Sequence, residues 1–502
     1  MRRRGGMWVR VWLAAALALA APAIGLAAGE ATLRISQGND LTTGDPHQTV
    51  TVTDYNVLWH VYEALARRDQ SGEFVPWLAS GWKILNDTTW EFRLHPGVSF
   101  SNGEPFDAAA VKYNLDRIID PKNNLRVATW LKPVSRVEVV GPTTVRILTR
   151  EPYPTLAAQL ATIFMVPPKY TTEDPARLAR QPIGTGPYRM VSWVKDDRIA
   201  LERRSGYWGK APEIGSVLFR PIPETGTRMA ALLTGEVDFV TNVPPTDTGR
   251  INAAGKRAAV VPSNRGMLVL FDAEKPPLAD RRVRQAINYA INKEALVKAL
   301  FEGKTTVLDG QMVTPDYFGH DPALKAYPYD PAKAKQLLAE AGLPAGFQVG
   351  FDSPSGRYLL DSEVSQAIAG QLNQVGVKAE VQTLEWGVYM NRLTKTRQIG
   401  GLVLIGWAWP TFDAGGLLSL IKEGSPYSYY KSPDFNRLLN AANATMDAAK
   451  RKELLYQAAR VLHDDPPAAF LYREPNIYGL SERVVWKPTS DQTIWAPDIQ
   501  LK

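Results

Sequence analysis

The chain of 502 residues contains no cysteine. That absence alone excludes disulfides, thiolate catalysis, iron–sulfur clusters, Cys-ligated zinc and lipidation of an N-terminal Cys. Histidine is scarce: there are five, at positions 47, 60, 95, 320 and 463, and none forms an HExxH pair. No GxSxG elbow, Walker A loop or SxxK–KTG set occurs. Gly184-Thr185-Gly186 runs into Pro187-Tyr188 without a third glycine or a helix start, so it reads as a turn rather than a nucleotide site. Asp196-Asp197 and Asp464-Asp465 are adjacent in sequence and read as solvated loops or caps, since glycosidase carboxylates stand ~5–10 Å apart on different strands. After residue 28 no apolar stretch approaches the ~20 residues needed to cross a bilayer. No repeat and no low-complexity linker is visible.

A large charge excess is also missing. The formal net charge is +7, but Arg2, Arg3, Arg4 and Arg10 all lie in the first ten positions. The remainder carries 54 basic against 51 acidic side chains, too balanced for a nucleic-acid binder. What is present is ordinary for a folded chain of about three structural units: 45% hydrophobic and 22% charged residues, with 14 Trp, 19 Tyr and 15 Phe. Aromatic surface is therefore available for packing or ligand stacking.

The first residues have the order of a secretory signal peptide. MRRRGGMWVR is a basic region, Val11 to Ala21 is an apolar run, Pro22 breaks it, and small residues follow. Cleavage is expected near Ala27 or Ala28, which puts the mature chain in an exported compartment as a soluble protein.

Strands and helices alternate through the rest. Residues 31–36 read as a strand and 53–66 as a helix with Val57, His60, Val61 and Ala64 on one face. Residues 89–106 read as a hairpin turning at Pro96-Gly97, and 136–149 as another turning at Gly141-Pro142. Residues 280–301 read as one amphipathic helix capped by Asp280. Residues 330–344 read as a helix with Asp330 as cap, Pro331 at its first position and Gly342 as stop. Then strand 347–351, helix 362–376, strand 377–383, helix 386–396 and strand 401–407 make a βαβαβ unit with a parallel sheet.

Ligands of open α/β sheets sit beyond the carboxyl ends of the strands. Three segments of this unit meet that condition. Arg357 follows the first strand, Trp386 the second, and Trp407, Ala408 and Trp409 with Phe412 and Asp413 the third. An arginine can hold a carboxylate bidentately, and tryptophan offers stacking area.

Many segments together resemble the dipeptide/oligopeptide-type substrate-binding proteins of ABC importers, family 5 of the solute-binding proteins. They include DPH (45–47), VYEAL (61–65), VPWLASGW (75–82), TWEFRLHPGVSFSNGEPFDA (89–108) and PIGTGPYRMVSW (182–193). NRGMLVLF with PLADRRVRQAINYAIN (264–292), YDPAKAKQLLAEAG (329–342), EWGVY (385–389) and GWAW (406–409) extend the match over nearly the whole mature chain. The resemblance implies an α/β, two-lobed periplasmic-binding-protein fold of type II, with an inserted subdomain and a ligand cleft between the lobes. It implies a signal peptide over 1–28, lobe one over 29–267 plus 476–502 with the insertion at about 73–183, and lobe two over 268–475. It also implies hinge closure on a small organic ligand, delivery to permease subunits in the inner membrane, no catalysis, no cofactor and no metal, and a monomer that binds no nucleic acid.

Residue by residue, Arg357 matches the family's carboxylate-binding arginine and Trp386 the aromatic of its EWGEY-like motif. Val50, Thr51 and Val52 match a ligand-contacting stretch of lobe one. Family members commonly read GW-x-x-D-x-x-D-P after the last strand of the unit. Here Pro410 stands at the first Asp position, which anchors a peptide's amine in the dipeptide receptors, and Asp413 matches the second. The expected ligand is therefore a compact, partly apolar solute with an anionic group facing Arg357, with a cation held against Trp faces as runner-up. An exported hydrolase, and a sensor or peptide chaperone on the same fold, stand as alternatives. A nickel-binding member is disfavoured by the five histidines.

Overall fold

The computed structural model describes residues 31–502. The expected signal peptide and its cleavage point lie outside the described residues.

A ten-stranded sheet runs through the molecule. Two long strands, Arg257–Phe271 and Ala468–Leu480, pair antiparallel at its centre and cross between its halves. Beside the first of them lies Gly401–Trp407, then Phe347–Pro354, then Val377–Leu384, the last three mutually parallel. Beside the second lie Phe239–Val240, Thr32–Gln37, Ser216–Pro221, Arg198–Arg203 and Tyr188–Val194. The ladder between the crossing strands breaks twice, between Pro262 and Gly266 and between Met267 and Leu268.

Strand periodicity explains the packing of the second half. Met267, Val269, Phe271, Leu402 and Leu404 face one core, while Leu268, Leu270, Val403, Ile405 and Trp407 face another. Both faces are buried, so these strands read as continuous apolar runs. The first half has its own core around Leu33, Ile35, Leu58, Phe219 and Tyr478. A separate four-stranded sheet, built from Ala79–Asn86, Thr89–Leu94, Thr144–Thr149 and Val134–Gly141, packs helix Ala108–Ile119 over Phe92, Val145 and Ile147. The result is a two-lobed α/β molecule with an inserted subdomain.

The parallel βαβαβ unit stands where the sequence puts it. So do the caps: Asp280 accepts from Arg282 N and Asp330 from Lys333 N. Three elements differ. The first helix is Val52–Val61 and stops early, because the Val61 carbonyl accepts from Gly186 N at 2.9 Å. A side chain at Gly184 or Gly186 would collide with that carbonyl. Residues 280–301 form two helices, Arg281–Ala290 and Lys293–Phe301. Asn292 divides them by capping the second through Ala295 N at 2.9 Å. The strand Thr89–Leu94 pairs with its neighbours in the inserted sheet rather than with residues 98–106, which turn at Gly97 and make only an isolated Ser99–Pro105 bridge.

Candidate ligand-binding site

The loop after strand Phe347–Pro354 is shaped by one side chain. Asp361, 4% exposed, opens helix Asp361–Asn373 and accepts from the backbone N–H groups of Gly356, Arg357, Tyr358 and Ser362 at 2.8–3.2 Å. Such a nest fixes the path of residues 355–360 and aims Arg357 outward. The Arg357 side chain is exposed. Its guanidinium lies 5.2 Å from the centre of the Trp386 ring and 5.0 Å from that of Tyr358. No carboxylate among the described residues pairs with it. Trp386 starts helix Trp386–Asn391, which Glu385 caps by accepting from Gly387 N at 2.8 Å. Its ring stacks on buried Tyr389 at 5.3 Å and 17°. An unpaired cation over a braced aromatic ring is thus presented at the strand ends.

The third strand end is used differently. Trp407 is 8% exposed and belongs to a core, edge-on to Tyr427 at 5.9 Å. Trp409 is half-buried, its backbone N–H donates to Tyr317 Oη at 2.6 Å, and its indole lies over Gly416, which leaves no room there for a side chain. Ala408 and Pro410 are half-buried beside it. Asp413 is engaged within the fold. Its carboxylate is 6% exposed, pairs with both terminal nitrogens of Arg451 at 2.5 and 2.6 Å, and caps helix Ala414–Leu418 through Gly415 N. It is committed inside the fold, not offered to a ligand amine.

Val50, Thr51 and Val52 stand on the other half of the molecule, at the N-terminus of helix Val52–Val61, with Val50 and Thr51 exposed. Asp54, fully buried, holds this entry by accepting from Thr42 N at 3.0 Å and Thr49 Oγ1 at 2.5 Å. The halves meet near the 409–413 loop. Arg68, on the hairpin Ala66–Arg68/Phe74–Pro76, lies 3.6 Å from the centre of the Phe412 ring, and Phe74 packs on the core behind it. The Arg357 loop also touches a crossing strand. Leu359 N donates to Glu474 at 3.3 Å, and Glu474 pairs with Arg265 at 2.9 Å.

Asp361, Glu474 and Arg68 escaped the sequence reading. Asp361 had a signal, an acid four residues after the arginine at a helix start. The other two are brought in by long-range packing that no local pattern encodes. Among the described residues no group of three or more His, Asp or Glu is placed to hold a metal ion. No helix there is long and apolar enough to cross a membrane.

Comparison with known proteins settles the class. Residues 73–429 match the family described as bacterial extracellular solute-binding proteins, family 5. The chain belongs to that family. It is 32% identical over 490 residues to the glutathione-binding protein GsiB of Pectobacterium atrosepticum, covering 95% of each chain. Its fold superposes on the periplasmic binding protein DppA of Helicobacter pylori in complex with the peptide STSA, with TM-score 0.78 and 24% identity over 94% of this chain and 98% of that one. It superposes as well on AgaA of A. tumefaciens R10 in complex with agropinic acid, with TM-score 0.78 and 22% identity over 94% and 99% of the two chains. As a family 5 member the chain is a receptor for small solutes that works with the permease of an ABC importer, not an enzyme.

Proposed function

We infer that this receptor holds a compact solute by a carboxylate set against Arg357 and Trp386. The observation that carries the reading is the pair itself: an exposed guanidinium with no acidic partner, poised over an indole at the ends of parallel strands. The neighbouring loop supports it by what it lacks. Pro410 has no acceptor side chain and Asp413 is neutralised by Arg451, so a ligand ammonium has no anchor there. The segment Val50–Val52 closes on the ligand from the other lobe. The lobes comprise 29–267 plus 476–502, with the insertion at about 73–183, and 268–475. They turn about the crossing strands, whose ladder is interrupted at Pro262–Gly266 and Met267–Leu268. The contact from Leu359 to Glu474 ties the Arg357 loop to that hinge.

Glutathione is a second, narrower reading, favoured by glutathione-binding relatives that match 86–95% of the chain. It carries carboxylates for Arg357, and its amine would have to be held by groups other than Asp413. The protein is exported through cleavage near Ala27 or Ala28, works in the periplasm as a monomer and hands its ligand to inner-membrane permease subunits. Calorimetry with glutathione, S-methylglutathione, ordinary di- and tripeptides and their N-acetylated forms tests the reading. Binding that needs the carboxylate and tolerates N-acetylation is expected. Tight binding of ordinary peptides that N-acetylation abolishes would overturn it.

A further inference from the structure

Away from Arg357 and Trp386, a hollow of about 360 Å³ lies between helix Val52–Val61, the hairpin that carries Arg68, and the C-terminal segment 486–498. Its size falls in the range of small-molecule sites, ~300–1,000 Å³. Four tryptophans form its walls. Trp59 and Trp77 lie nearly parallel at 5.7 Å and 25°, and Trp495 meets Trp77 edge-on at 5.9 Å and 80°. Trp486 is 6% exposed and wedged against Phe239 and Tyr478. These are braced, flat, apolar surfaces.

Three acids and three bases line the hollow. Asp69 accepts from Ser71 N, Ser71 Oγ and Glu73 N to form the hairpin turn. Asp491 accepts from Thr489 Oγ1 and Thr493 N. Its other oxygen is 3.9 Å from Arg68. Asp498 is exposed at the rim. Lys487 has no ion-pair partner among the described residues, and Arg67 makes no direct ion pair, although its charge acts on the Asp498 carboxyl. The Arg67 guanidinium instead faces the Trp495 and Trp77 rings, 5.2 and 5.8 Å from their centres. Two buried donors in the same wall, Arg68 Nε and Trp495 Nε1, lack an acceptor within the protein. The hollow thus sets two donors without an acceptor, and the Lys487 ammonium, beside flat apolar faces.

We propose that this hollow is a second binding site, for a planar aromatic carboxylate. The ring system lies against the partly exposed rings of Trp59 and Trp495, and the carboxylate meets Arg67 and Lys487. None of Val50–Val52, Arg357, Trp386 or 407–413 lines the hollow. Its walls come from segments 59–77 and 486–498, so it exists without lobe closure and its occupancy is independent of the Arg357 reading.

The test uses the full exported chain, titrated calorimetrically with indole-3-acetate and benzoate, and with indole-3-acetamide and benzamide as neutral matches. Tryptophan fluorescence is read in parallel. The carboxylates should bind and quench, with the amides about tenfold weaker or more. Arg67→Gln and Lys487→Gln should bring carboxylate affinity toward that of the amides, while Arg357→Ala leaves it unchanged. Lys487 is exposed, so its variant reports even if Arg67→Gln does not fold. No binding of the acids at millimolar concentration, equal binding of acids and amides, or a loss caused by Arg357→Ala instead would overturn the proposal.

Discussion

The edge at Arg357 and the hollow at Trp59 are both cation-and-tryptophan surfaces, yet they are assembled in opposite ways. The edge is made by three consecutive strand ends of one βαβαβ unit, and its cation stands in water over a single ring. The hollow is made by segments more than 400 residues apart in sequence, 59–77 and 486–498, and its cation lies among several rings. The first kind of surface is open. The second is enclosed by its own half of the molecule. Local topology announces an edge of the first kind, whereas only the folded chain reveals the second.

Each surface has its own support, so each can be broken alone. The largest effect is expected beneath the edge. Arg451→Met leaves the Asp413 carboxylate buried without its partner, which costs about 3–5 kcal/mol. Urea denaturation should show that loss, and the 409–413 loop should be disturbed while the Trp59 hollow keeps its fluorescence. A loss under 1 kcal/mol would mean that Asp413 is not held as described.

Acid should act on the hollow instead. His60 is fully buried and accepts from Ala496 N at 2.9 Å, fixing the C-terminal segment that carries Trp495. Burial lowers the His60 pKa from 6.5 to about 4, and His47, also buried, to about 4. The unfolded chain therefore takes up protons before the folded one does. The stability these groups give is complete above about pH 6.5 and is lost as pH falls through 4, on the order of 3 kcal/mol each. Glu63 works against them. Burial raises its pKa from 4.5 to about 7, so its protonated form favours the fold below 4.5 and that advantage disappears as pH rises through 7. Between pH 7 and 4.5 the net change should be a fall of about 3 kcal/mol, seen by denaturation at both ends of the range. A rise on acidification would refute the assignment of neutral, buried histidines.

The smallest effect returns to the edge. Gly416→Ala forces the Trp409 indole off its seat and should cost about 1–3 kcal/mol in thermal or chemical unfolding. An unchanged midpoint would show that the indole is free to move.

The pattern of what was legible follows from the same contrast. The parallel strands and the helix caps at Asp280 and Asp330 were readable because period and capping are local. Arg357 and Trp386 were readable as neighbours because strand ends of one unit must converge, and they do. The same rule does not tell which way Trp407 turns: the strand alternates, and its side chain packs with Val403 and Ile405. The pairing of Asp413 with Arg451, 38 positions away, is invisible to any motif. The early stop of the first helix depends on Gly186, and the hollow on the return of the C-terminal segment, both products of distant packing.

The central claim is that Arg357 is left unpaired in order to take a ligand carboxylate. Its most direct test is isothermal titration of a carboxylate-bearing solute that the wild type binds, glutathione first, into Arg357→Ala with the fold checked by circular dichroism. A loss of about 1.4–3 kcal/mol in binding free energy, tenfold or more in affinity, is expected, with the unfolding transition unchanged. Equal affinity in the wild type and in Arg357→Ala would contradict it.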